Sequence, residues 1–119
     1  MPESTVKRCM SAILIHCSCP DQTVAARIAR ALVEERLAAC VQAVPGAVST
    51  YRWNGAVQVD HEVVLVIKTV RARFEAIRLR IVEMHPYELP EIIAVDIGAG
   101  HAPYLDWIAR ESAATDPLP

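Results

Sequence analysis

Asn54-Gly55, set between two long extended stretches, constrains this chain more than any other feature. Two such residues in succession accept positive φ readily and give the strongest short signal for a type I′ hairpin. The stretches on either side, 38–53 and 56 to about 69, hold roughly fifteen residues each, so at about 3.3 Å per residue each arm would run about 50 Å. A compact chain of 119 residues has a radius of gyration of only about 13 to 14 Å. The ribbon must bend at Pro45-Gly46 or reach across a neighbour, and a long unpaired edge is an aggregation hazard unless another strand covers it.

The rest of the chain reads around that ribbon. Residues 12–17, Ala-Ile-Leu-Ile-His-Cys, form a first buried strand. Ser18-Cys19-Pro20-Asp21 starts a helix, with Ser18 or Asp21 as N-cap and a proline that a first turn tolerates. Val24, Ile28 and Leu32, flanked by Ala25, Ala29 and Val33, make one apolar stripe at helical spacing, and Arg27, Arg30 and Glu34 lie opposite; the helix should end near Arg36. A second amphipathic helix places Phe74, Ile77, Ile81 and Met84 on its inner face. Pro86 and Pro90 break it, a strand follows over 91–97, and a short helix spans about 102–111. The order β-α-β-β-α-β plus a terminal helix is the α+β, ferredoxin-like plan, in which two right-handed crossovers put both main helices on one face of an antiparallel sheet.

Such a sheet should alternate apolar and polar residues. Val63-Val64-Leu65-Val66-Ile67 does not, and neither does Ile92-Ile93-Ala94-Val95. Both faces of these strands ask for burial and two helices cover one, so a second copy of the chain is expected over the other. Length fits one domain over 1–119, ordered from about 11 to 112, with a loose arm over 1–10 and a disordered tail from Asp116. Hydrophobic content of 53% and a mean hydropathy of +0.24 are high for a chain this size and agree with subunit packing.

Twelve basic against fourteen acidic residues leave no basic field for nucleic acid or anionic lipid. No run approaches the roughly 18 apolar residues of a membrane span, and the short run after Ser11 reads as a strand rather than a signal sequence. Four cysteines, Cys9, Cys17, Cys19 and Cys40, are then expected as reduced thiols in the cytoplasm.

Chemistry concentrates in His85-Pro86-Tyr87-Glu88-Leu89-Pro90-Glu91, a rigid polar segment entering an apolar strand. His85 follows Met84 at the end of a helix, where the dipole alone favours an imidazole. Cys17 and Cys19 are two apart on a strand, which aims both thiols at one face; thiolates suit soft ions such as Cu(I), although inert buried thiols are the better default for the pair by itself. Tyr51-Arg52-Trp53 presents a cation between two aromatics before the hairpin turn, and Lys68, closing an apolar strand, should meet a carboxylate or an anionic ligand. Gly98-Ala99-Gly100 before a helix is a weak anion-site signal. No nucleophile, base and orienting group assemble by spacing, so a non-enzymatic role is expected.

Ser18-Cys19-Pro20-Asp21, Glu35-Arg36-Leu37-Ala38-Ala39-Cys40-Val41, Pro45-Gly46, Tyr51-Arg52-Trp53-Asn54-Gly55, Ile67-Lys68-Thr69, the His85 to Ile93 segment and Tyr104-Leu105-Asp106-Trp107-Ile108 occur in that order. Together they resemble the divalent-cation-tolerance CutA family over about residues 12–111. The resemblance implies a homotrimer with interlocked strands, similar in architecture to PII signalling trimers, and a cytoplasmic protein associated with tolerance to copper and other divalent cations. It also implies a copper site, Cu(I) or Cu(II), at the position of Cys17 and of two consecutive histidines, of which this chain keeps His85 and has Met84 for the other. A thioether keeps Cu(I) in reach and disfavours hard cations, so the donors expected are Cys17, Met84 and His85, with Cys19 as the other candidate for a third. The alternative is a PII-like small-molecule sensor whose intersubunit clefts are lined by Tyr51, Trp53, Lys68, Tyr87, Glu88, Glu91 and Trp107.

Overall fold

The hairpin forms as its turn residues require. In a computed structural model that describes residues 10–113, Asn54 and Gly55 have φ of 49° and 80°, the successive positive values of a type I′ turn. They join β2 (Cys40–Trp53) to β3 (Ala56–Val70). Pairing holds from Trp53 opposite Ala56 to Ala47 opposite Glu62 and resumes at Val44 opposite Val64, so Pro45 and Gly46 stand against Val63 alone. This is a β-bulge, with Gly46 at φ 90° and a proline that has no ladder N–H to lose. It breaks the ladder at the point where the sequence offered a bend. The ribbon still makes the molecule 51 Å long, with a radius of gyration of 15.5 Å. Met10 excepted, the expected N-terminal arm lies outside the described residues, as does the tail from Asp116.

The remaining elements are β1 (Ala12–Cys19), α1 (Gln22–Glu34), a 3₁₀ turn (Arg71–Arg73), α2 (Phe74–Met84), β4 (Ile93–Asp96) and α3 (Ala102–Glu111). The sheet runs β2-β3-β1-β4, antiparallel throughout, which is the ferredoxin-like order. Ile13, Ile15 and Cys17 of β1 and Leu65 and Ile67 of β3 bury one face against Ile28 and Leu32 of α1 and Ile77 and Ile81 of α2.

Asp21 is the N-cap of α1: its Oδ1 accepts the Val24 N–H at 2.9 Å. The helix ends at Glu34, two residues before the expected Arg36, which takes φ 60°. The Leu37 N–H reaches the Leu32 carbonyl at 2.9 Å and the Arg36 N–H the Val33 carbonyl at 3.1 Å, the paired bonds of a Schellman ending with arginine where glycine is usual. Val33, expected in the apolar stripe, is 43% exposed. It lies about 100° round the helix from Leu32 and about 140° from Ile28, outside the buried sector. Replacing Asp21 by Ala should lower stability by about 1 kcal/mol in urea denaturation, whereas Asp21→Asn should retain most of it.

Burial alternates along β3 although composition does not. Val63, Leu65 and Ile67 are buried toward the helices, and Val64 and Val66 on the opposite face are only partly covered. There α3 closes one end of the sheet, packing Ile108 on Ala39 and Val70. The rest of that face stays open in the single chain, with Ile93 and Val95 exposed by 57% and 54%.

Candidate metal centre and adjoining cleft

The end of β1 presents different chemistry to its two sides because alternate residues point in opposite directions. Cys17 and Cys19 face the helices and are fully buried. Ser18, between them, faces the open side. The helix α2 arrives at the same point and stops: Pro86 bars helical geometry at His85, which is extended (φ −81°, ψ 135°) while its N–H still bonds the Ile81 carbonyl at 2.8 Å. His85 is thereby lodged against the strand end, 7% exposed. The sulfur atoms of Cys17 and Cys19 and a ring nitrogen of His85 all lie within 4.8 Å of one another.

Hydrogen bonds fix the state of this group. The Tyr87 N–H donates to His85 Nδ1 at 3.1 Å, so Nδ1 is the acceptor and Nε2–H donates to the Ser18 carbonyl at 2.8 Å. Both ring nitrogens are therefore engaged. Cys17 holds its proton well above the usual thiol range, first because of its hydrogen bond with Cys19 and then through burial, and the same bond lowers Cys19. Two sulfurs and an imidazole suit a soft ion. Ligation by His85 requires it to give up a hydrogen bond, and the thiols give up their mutual bond along with their protons.

On the other side of β1 a cleft of about 730 Å³ opens between the hairpin and the Pro86 to Glu91 segment, lined by Ser18, Ser49, Thr50, Tyr51, Trp53, Glu62, Pro86, Tyr87, Glu88, Leu89 and Glu91. Ser18 Oγ donates to Glu91 at 2.9 Å and Tyr87 Oη to Glu62 at 2.8 Å. Tyr51 Oη donates to Asp60. Burial, then its bond to Glu62, holds the Tyr87 phenol above the usual range, and the Asp60 carboxylate does the same for Tyr51. The His85 and Tyr87 rings lie 4.7 Å apart at 54°, so these two residues join the thiol group to the cleft.

The model described as CutA1 divalent ion tolerance protein matches residues 13–111. The chain belongs to the CutA1 family. A divalent-cation tolerance protein CutA of Thermus thermophilus is 51% identical over 78% of this chain and 90% of its own length. The crystal structure of CutA from Xylella fastidiosa superposes with a TM-score of 0.84 at 48% identity, covering 87% of this chain and 99% of that one. Protein CutA of the mouse is 44% identical over 76% of this chain, which spans about half of that relative, 51% of its length.

Within this CutA chain the expected site residues divide. Cys17, Cys19 and His85 come together; Met84 is half-buried and packs against the main core. Tyr51, Trp53, Tyr87, Glu88 and Glu91 share the cleft, and within one chain Lys68 and Trp107 stand apart from it. Lys68 meets a phenol rather than the expected carboxylate: its Nζ donates to Tyr104 Oη at 3.3 Å and stands 5.6 Å from that ring's centroid. Trp107 sits 5.4 Å from Tyr104, ring to ring. The distance has a simple cause, since Lys68 is six residues from Glu62 along one strand, about 20 Å. Of the cleft residues that sequence reasoning missed, Glu62 is the charged one. Its signal was a carboxylate at the head of an apolar strand, on the side shared by Ser49, Tyr51 and Trp53. No helix among the described residues is long and apolar enough to cross a membrane.

Proposed function

We propose that this CutA-family chain acts as a non-enzymatic, cytoplasmic homotrimer that binds copper as the soft Cu(I) ion and contributes to metal tolerance. One observation carries the reading: two thiols and an imidazole lie buried with donor atoms within 4.8 Å of one another. Cys17 and Cys19 would hold the ion and His85 would complete the set, at the cost of a hydrogen bond worth about 1 kcal/mol. Sulfur donors select soft ions over magnesium or calcium. The divalent-ion tolerance that names the family agrees with a metal-handling role. The free thiols of Cys17, Cys19 and Cys40 fit a reducing compartment, and the open sheet face fits subunit packing.

The test is titration of the reduced protein with Cu(I) against a chromophoric chelator. Cys17→Ser with Cys19→Ser should weaken binding by about 100-fold or more, since two of three donors go. His85→Ala should weaken it by about tenfold. Equal affinity in the wild type and the double cysteine variant would reject the assignment.

A further inference from the structure

The cleft beside the thiol group is lined with one sign of charge. Glu62, Glu88 and Glu91 and the rings of Tyr51, Trp53 and Tyr87 form its walls, and among the described residues of one chain no lysine, arginine or histidine lines it. Glu62 is only 8% exposed, and its partner is the Tyr87 hydroxyl. A phenol satisfies a hydrogen bond but supplies no opposing charge, and a carboxylate withdrawn from water calls for one. Aromatic faces attract cations in the same way, above all alkylammonium groups. The volume of about 730 Å³ is that of a site for a small organic molecule. Nucleotides and organic acids would meet like charge on these walls.

We propose that this cleft binds an organic cation of the alkylammonium or polyamine class, its ammonium groups against Glu62, Glu88 and Glu91 and its hydrocarbon segments across Trp53 and Tyr87. The site is separate from the copper centre and does not depend on it. Ser18, Tyr87 and Glu91 give the cleft fixed polar edges, because Ser18 holds Glu91 and Tyr87 holds Glu62 before any ligand arrives. A ligand with charges at both ends of an apolar chain matches that alternation better than a bare ion.

Calorimetric titration of the full chain at about 0.15 M salt tests this, with spermidine as the probe and magnesium and citrate as controls. Spermidine should bind saturably, and magnesium and citrate far more weakly. Glu88→Gln with Glu91→Gln should weaken spermidine binding about tenfold, and Trp53→Ala about three- to thirtyfold. Glu34→Gln with Glu83→Gln, an equal loss of charge on the helices, should leave it unchanged. Absence of spermidine binding, citrate binding of equal strength, or the same affinity in the cleft and helix variants would overturn the proposal. Binding that appears only in Lys68→Ala would also overturn it, by showing that the ammonium of a second copy already fills the cleft.

Discussion

Ile93→Lys combined with Val95→Lys turns the assembly proposed for this chain into a species of 13.1 kDa in light scattering, with its circular dichroism spectrum unchanged. Both side chains are more than half exposed in the isolated fold, so the substitutions should move the stability of one chain by no more than about 0.5 kcal/mol. In an assembly they would lie on the face that α1 and α2 leave uncovered. They share it with Leu14 and Val66, since Val95 pairs with Leu14 and His16 stands between Ile93 and Val66. An unpaired ammonium buried there costs about 3–5 kcal/mol, and two of them at each contact exceed what an interface of ordinary size can absorb. The unsubstituted chain should scatter as three times its own mass. A wild-type mass of one chain would remove the reason for expecting the homotrimer.

Leu65→Ala should lower the unfolding free energy by about 2–5 kcal/mol, measured in guanidinium at one fixed protein concentration. Leu65 is fully buried in β3, directly opposite Cys17, and its truncation leaves a cavity between the sheet and the helices. The spread reflects how far Ile28 and Ile81 can settle into the space. Leu65→Ile keeps the volume and should cost less than about 1.5 kcal/mol. An alanine variant as stable as the isoleucine variant would mean that this part of the core is loosely packed, which the fully buried ring of residues around it argues against.

Local chemistry explains why so much of the fold was legible. The turn at Asn54-Gly55, the bulge at Pro45-Gly46, the cap at Asp21 and the break after His85 each depend on the φ preferences or side-chain hydrogen bonds of a few adjacent residues. Strand alternation likewise placed Cys17 and Cys19 on a common face before any helix was positioned. Val33 marks the margin of that reasoning, because a stripe drawn by residue type does not give the width of the buried sector.

Membership of a site is a different kind of quantity. Neighbours along the chain said nothing about whether His85 would stand beside Cys17 and Cys19; that followed from where α2 ends against the sheet, which lodges His85 against the thiols. Glu62 entered the cleft through the hairpin register that runs unbroken from the Asn54-Gly55 turn, and within one chain Lys68 stands apart from it because an extended strand carries six residues about 20 Å. The amino-acid order determined the elements, their sequence and their turns, since each is decided within a few residues. The tertiary structure alone decided which side chains meet, because donors distant in the chain are brought together only by the packing of one element's end against another.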